Sequence, residues 1–204
     1  MDGVLLSSTP AVERVWRAWA VERGFDPDHV ACIAHGRRSI ETLRELLPDA
    51  DHDAENAIVE RREIEDTEGI VAIRGALDLL RQIPRERWAV VTSATRPLAE
   101  VRLRAAGFDI PRNMITAEDV INGKPHPEPY LKGAQLLGFA PADCVVFEDV
   151  PAGIAAAQSA GMRVIALTTT VAAVSLAAAD AIIPNPSAVQ VTVSHSGLSL
   201  NVAP

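Results

Sequence analysis

The hydrophobic period changes twice along this chain. Val12, Val15, Trp16 and Trp19 recur at i, i+3, i+4 and i+7, the spacing of one buried helix face. Thr9 is the expected N-cap, Pro10 suits the first helical position, and Gly24 ends the run. The tryptophan stripe reads as core rather than as a binding platform. From Asp26 to about Thr67 the pattern is that of short amphipathic helices with no convincing strand. Ser39 to Leu47 and Asp53 to Asp66 are the clearest, separated by Pro48. Glu60, within the second of these, reads as a surface carboxylate.

From Val71 the rhythm becomes short apolar runs alternating with helical stretches. Strands are predicted at Trp88–Thr92, Met114–Thr116, Cys144–Phe147 and Arg163–Leu167. Helices are predicted at Ala76–Gln82, Leu98–Ala106, about Pro129–Leu137 and Ala152–Ala160. Strands separated by helices imply βαβ units and a parallel sheet covered on both faces. Such sheets place their sites at the C-terminal ends of the strands. The tail alternates twice, over Val189–Val193 and Leu198–Val202, around His195-Ser196-Gly197, which predicts a hairpin.

Composition narrows the partners. A net charge of −8 argues against nucleic acid, whose recognition rests on a basic footprint. The longest uncharged apolar run, Val164 to Ala179, is shorter than a membrane span and reads as a core strand, a loop and a packed helix. There is no basic-then-apolar leader. Cys32 and Cys144 sit in apolar stretches without zinc spacing and are expected as buried free thiols, which fits a reducing cytoplasm.

Four stretches carry candidate chemistry. Asp2-Gly3-Val4-Leu5 opens the chain, although Asp-Gly alone is a turn signal. Ser93-Ala94-Thr95-Arg96 follows a strand and leads into a helix, where a hydroxyl and a free backbone N–H suit phosphate oxygens or simply cap the helix. Lys124 lies in Gly123-Lys124-Pro125-His126-Pro127-Glu128-Pro129-Tyr130. Only two of the chain's 19 basic residues are lysines, so a compact point charge is either wanted here or merely exposed in a proline-rich loop. Glu148 and Asp149 stand together after a buried strand. Such a pair is costly without a cation, and oxygen ligands suit Mg²⁺.

In order, Asp-Gly-Val-Leu, Thr-Ser-Ala-Thr, Gly-Lys-Pro-His-Pro-Glu-Pro-Tyr and Phe-Glu-Asp-Val-Pro-Ala-Gly-Ile resemble the four motifs of the haloacid dehalogenase-like hydrolases, across nearly the whole chain. The helical stretch after the first loop resembles the cap of the β-phosphoglucomutase and phosphoglycolate-phosphatase branch. Ala34-His35-Gly36-Arg37-Arg38-Ser39 and the run from Gly123 to Gly133 are most similar to glycerol-phosphate and 2-deoxyglucose-6-phosphate phosphatases.

The resemblance implies an α/β fold, with a Rossmann-like core over 1–9 and 70–204 and a helical cap over 10–69. Asp2 would be the general acid/base, with its backbone carbonyl a magnesium ligand. Ser93 and the N–H of Ala94 would hold the phosphoryl group, and Lys124 would balance its charge. Asp149, assisted by Glu148, would bind magnesium. His35, Arg38, Thr95 and Arg96 would face the substrate. The resemblance also places a nucleophilic Asp one residue before Met1 and a central strand before that Asp, so the chain is expected to begin inside the first motif and to be inactive as written.

The expected function is Mg²⁺-dependent hydrolysis of a small phosphorylated polyol or sugar through an aspartyl-phosphate. The alternatives are a phosphosugar mutase, with Arg38 and Arg96 holding a second phosphate, and an inactive phosphate-binding module. The expected protein is cytoplasmic and a monomer or weak dimer, with neither nucleic acid nor membrane as partner.

Overall fold

The computed structural model describes residues 1–34, 36–194 and 197–202. His35, His195 and Ser196 lie outside the described residues. The opening loop leads into strand β1 (Leu6–Ser7), and helices α1 (Thr9–Arg23), α2 (Pro27–Ala34), α3 (Ser39–Leu46) and α4 (His52–Glu65) follow. The chain returns through β2 (Val71–Ala72), antiparallel to β1. The four helices are thus inserted between two strands that pair with each other. Both strands have only two residues, too few for a period to register in sequence.

The insert has its own core. Val15, Trp16, Trp19, Ala20, Val30, Ala34, Leu43 and Val59 form one buried cluster. The tryptophan stripe is therefore core, with Trp16 and Trp19 edge to face at 5.7 Å. Helix α1 begins one residue earlier than the N-cap reading supposed, so Ser8 holds that position. Its hydroxyl makes no cap bond and donates instead to Asp2 Oδ1 at 2.5 Å. Gly24 ends α1 in the left-handed conformation, as its sequence position implies.

The remainder alternates as expected: α5 (Ala76–Gln82), β3 (Val90–Val91), α6 (Arg96–Ala105), β4 (Met114–Ile115), α7 (Glu128–Leu137), β5 (Val145–Glu148), α8 (Pro151–Ser159) and β6 (Arg163–Leu167). Two elements differ from the sequence reading. The packed helix expected before Ala179 is a single 3-10 turn at Ala173–Leu176, and a short strand β7 (Ala181–Ile183) follows it. The tail is the expected hairpin, β8 (Val189–Ser194) against β9 (Gly197–Val202).

The parallel ladders are β3 with β4, and β5 with β6 and β7. Period two along β6 shows how the sheet is covered. Val164 and Ala166 pack with Tyr130, Ala134 and Ile154 of α7 and α8. Ile165 and Leu167 pack with Leu79 of α5 and Val189 of β8. Between β3 and β5 lies a groove of about 1030 Å³, lined by Val90 and Val91 on one side and Val145, Val146 and Phe147 on the other. Met1, Val4 and Leu5 also line it.

The cysteines correct the sequence reading. Cys32 is exposed and Cys144 half-buried, both as free thiols. Helix α2 buries Val30, Ala31 and Ala34, which leaves Cys32 on the opposite face. No helix among the described residues is long and apolar enough to cross a membrane.

Leu43 is fully buried in the insert. Leu43→Ala should therefore cost about 2–5 kcal/mol in urea unfolding, and Cys32→Ser less than about 0.5. Equal costs for the two variants would contradict this packing.

Candidate active site

A cavity of about 90 Å³ lies where the helical insert meets the ends of the parallel strands. Its walls bring together Asp2, Ser93, Ala94, Thr95, Lys124, Glu148 and Asp149 from four separate stretches of sequence. The insert contributes Trp16, Arg37, Ser39, Glu60 and Glu63.

The acidic pair at the end of β5 is divided between two tasks. Both oxygens of buried Glu148 are occupied: Lys124 Nζ and the Tyr130 hydroxyl donate to Oε1, and the Asp149 N–H to Oε2 at 3.1 Å. Burial presses the Glu148 carboxyl upward, but Lys124 and the Tyr130 hydroxyl overcome it and hold its pKa at about 2. Asp149 has no such cation. Burial and the adjacent Glu148 charge raise it to about 7, against a 2.5 Å bond from Thr170 Oγ1.

Two glycines make room for these acids. A Cβ on Gly153 would stand 2.0 Å from the Glu148 carboxyl carbon, so the first turn of α8 closes over Glu148 only with glycine there. Gly3 has φ +66°, and a Cβ there would meet Asp149 Oδ2 at 1.9 Å. The Gly3 carbonyl in turn accepts from Thr169 Oγ1.

Asp2 receives Ser8 Oγ at 2.5 Å and Arg102 Nη1 at 3.2 Å on the same oxygen. Burial pushes its carboxyl up, but Arg102, the Met1 amino group and Ser8 together keep it below the ordinary aspartate range. Arg102 also pairs with Glu63 of α4 at 3.2 Å, and both side chains are buried. Burial raises the Glu63 carboxyl in spite of that arginine. The sequence reading missed this Glu63–Arg102–Asp2 chain. Its signal was charge at helical core positions: Arg102 falls among Leu98, Ala99 and Leu103, and Glu63 lies four residues after Val59.

Other expected residues fall in different places. The Ser93 hydroxyl has no hydrogen-bond partner among the described residues and borders the cavity. The Ala94 N–H is not free as expected: it donates to Thr92 Oγ1 at 3.2 Å. Thr95 Oγ1 donates to Glu60, which lines the cavity and is not the surface carboxylate that its sequence position suggested. Arg38 lies outside the cavity wall, bound to Glu41 at 2.6 Å and to the carbonyls of Val120 and Ile121. Arg96 also points away, to Asp119 and the Met114 carbonyl. The loop before Lys124 is anchored by Glu128, whose oxygens accept the N–H groups of Ile121 and Asn122 at 2.9 Å.

The donor set fits a hard cation in part. Asp149 and the Asp2 carbonyl offer oxygen, but no cluster of three or more His, Cys, Asp or Glu is arranged for a metal among the described residues. Mg²⁺ tolerates this, because it is commonly held by one or two carboxylates, phosphate oxygens and water.

The sequence profile of haloacid dehalogenase-like hydrolases matches residues 1–161. The chain belongs to that family. It is 41% identical over 202 residues to hexitol phosphatase A of Escherichia coli, covering 97% of this chain and 94% of the relative. It is 38% identical over 182 residues to glycerol-1-phosphate phosphohydrolase 2 of Saccharomyces cerevisiae, covering 83% and 73%. A β-phosphoglucomutase from Clostridium difficile shares the fold at a TM-score of 0.78 and 20% identity, over 91% of this chain and 88% of the other. The family resemblance read from the four motifs, and the likeness to sugar- and glycerol-phosphate phosphatases read from 34–39 and 123–133, thus hold.

Glu128 provides a pH test of the Lys124 loop. The Ile121 and Asn122 N–H groups hold its carboxyl at about 2, below the usual 4.5. A depressed carboxyl stabilises above the unfolded value and loses that contribution as the pH falls through the folded one. Glu128→Ala should melt below the wild type at pH 7, with the gap closing between pH 4.5 and about 2. A pH-independent gap would assign the effect to packing.

Proposed function

We propose that this protein is a Mg²⁺-dependent phosphatase of a small phosphorylated polyol or sugar. The observation that carries this reading is the convergence of Ser93, Lys124, Asp149 and Asp2 on one cavity under the helical insert. The polyol and glycerol phosphates named in its relatives support the substrate class.

In this reading the Ser93 hydroxyl and the Ala94 N–H, once released from Thr92, bind phosphoryl oxygens. Lys124, held rigid by Glu148 and Tyr130, offsets their charge. Bound Mg²⁺, held by Asp149 and the Asp2 carbonyl, would supply electrostatic stabilisation of the phosphoryl group. Asp2, ionised beside Arg102 in the free chain, takes up a proton as the substrate binds, delivers it to the leaving oxygen, and then takes one from the attacking water. Arg102 and Ser8 fix its carboxylate for both steps, and the insert acts as the cap that excludes solvent. We propose, on the family resemblance alone, that the in-line nucleophile is an Asp supplied one position ahead of Met1, giving an aspartyl-phosphate that water cleaves. The mutase alternative would need cations for a second phosphate, and neither Arg38 nor Arg96 lines the cavity.

The test compares the 204-residue chain with a form carrying an apolar strand ending in Asp before Met1. The extended form should release phosphate from hexitol and glycerol phosphates only with Mg²⁺, and Asp149→Asn should abolish that dependence together with most of the turnover. The unextended chain should be slower by about 10³-fold or more. Comparable turnover by the two forms would show that some other group attacks phosphorus.

A further inference from the structure

Glu60 is the cavity acid for which the phosphatase chemistry above has no use. It projects from α4 towards the phosphate-side loop, where Oε1 accepts from Thr95 Oγ1, two residues beyond Ser93. Among the described residues its second oxygen accepts no hydrogen bond, and no Lys or Arg pairs with it. The other acids in the wall are engaged: Asp2 and Glu63 share Arg102, Glu148 holds Lys124, and Asp149 accepts from Thr170. The cations are engaged too, with Arg37 bound to Glu45 at 2.7 Å. The wall directly above the phosphate loop therefore carries uncompensated negative charge and an open acceptor.

We propose that Glu60 determines substrate choice. It accepts a hydrogen bond from a hydroxyl of a neutral polyol or sugar leaving group, and it rejects phosphate esters whose leaving group carries a second anion, whether carboxylate or phosphate. The proposal rests on the phosphatase reading above. A substrate anchored at Ser93 and Lys124 must extend past Thr95, so its next few atoms meet Glu60. A hydroxyl there makes a charge-assisted bond, whereas an anion meets a like charge in a partly desolvated space. Thr95 fixes the carboxylate in place, so it cannot swing away from an unsuitable ligand.

The test is calorimetric binding to the 204-residue chain with Mg²⁺, using inorganic phosphate, glucitol 6-phosphate and phosphoglycolate. Wild type should bind glucitol 6-phosphate about tenfold or more tightly than phosphoglycolate. Glu60→Gln is isosteric and still accepts from Thr95. It should shrink that preference by about tenfold, chiefly by tightening phosphoglycolate, while Glu60→Asp keeps the charge and the discrimination. An unchanged ratio in Glu60→Gln, or a wild-type preference for phosphoglycolate, overturns the role of Glu60 alone. Failure of wild type to bind inorganic phosphate overturns the phosphate site itself, and this inference with it.

Discussion

The site depends on placing two adjacent carboxylates at the buried end of one parallel strand. A buried carboxylate is stable as an anion only when its oxygens are paired and hydrogen-bonded. Glu148 meets that condition through Lys124, Tyr130 and the Asp149 N–H. Its neighbour does not, and burial beside Glu148 raises Asp149 to about 7. The surrounding sequence follows from this pair. Lys124 and Tyr130 share a single stretch because both must reach Glu148, and the Lys124 ammonium also lies 5.1 Å from the Tyr130 ring centroid. Gly153 and Gly3 lack side chains because the acids occupy the space where a Cβ would stand. Removing one partner of such a buried pair typically costs about 3–5 kcal/mol, so Lys124 serves the fold whatever its part in the proposed chemistry.

The helical insert is joined to the rest of the chain by polar contacts around the same cavity. Most of its apolar core is its own, with Ala11 packing into the main core, while Glu63 reaches Arg102, Glu60 reaches Thr95, and Arg38 reaches the carbonyls before Lys124. Two elements bridged by hydrogen bonds and ion pairs separate at lower cost than two sharing one apolar core. That division suits a cover which must admit a ligand and then exclude water. The buried Glu63–Arg102 pair, continued to half-buried Asp2, ties the position of the insert to the carboxylate proposed to move protons. The Arg102 Nε in that link is buried without a hydrogen-bond partner among the described residues, so the network is incompletely satisfied.

Much of this was legible in the sequence, for reasons that can be named. Periodic segments carried their own signal, so α5, though short, falls on the predicted residues and the tail hairpin follows from two alternating runs. The motif acids and Lys124 could be placed because strand ends in a parallel sheet converge on one edge. The short strands β1, β2 and β7 were not read, whereas the equally short β3 and β4 were, because those two lie in apolar runs set between helical stretches. The 3-10 turn after β6 was misread as a helix because an alanine-rich run satisfies helical propensity without enough length to use it. Arg38 and Arg96 were read as substrate-facing from their place beside motifs. Position along the chain does not fix where a long flexible side chain ends, and acidic and carbonyl neighbours claim both. Glu60 was misread in the opposite sense, since only the packing of α4 over the 93–95 loop places it inside.

The central claim is that a phosphoryl group sits between Ser93 and Lys124, beside Asp149. Tungstate is a tetrahedral oxyanion with strong anomalous scattering, and a crystal soaked in it with Mg²⁺ locates that group directly. The account predicts an anomalous peak within the cavity, its oxygens in hydrogen-bond reach of Ser93 Oγ and Lys124 Nζ. Ordered tungstate only at other surfaces, with this cavity holding none, would contradict it.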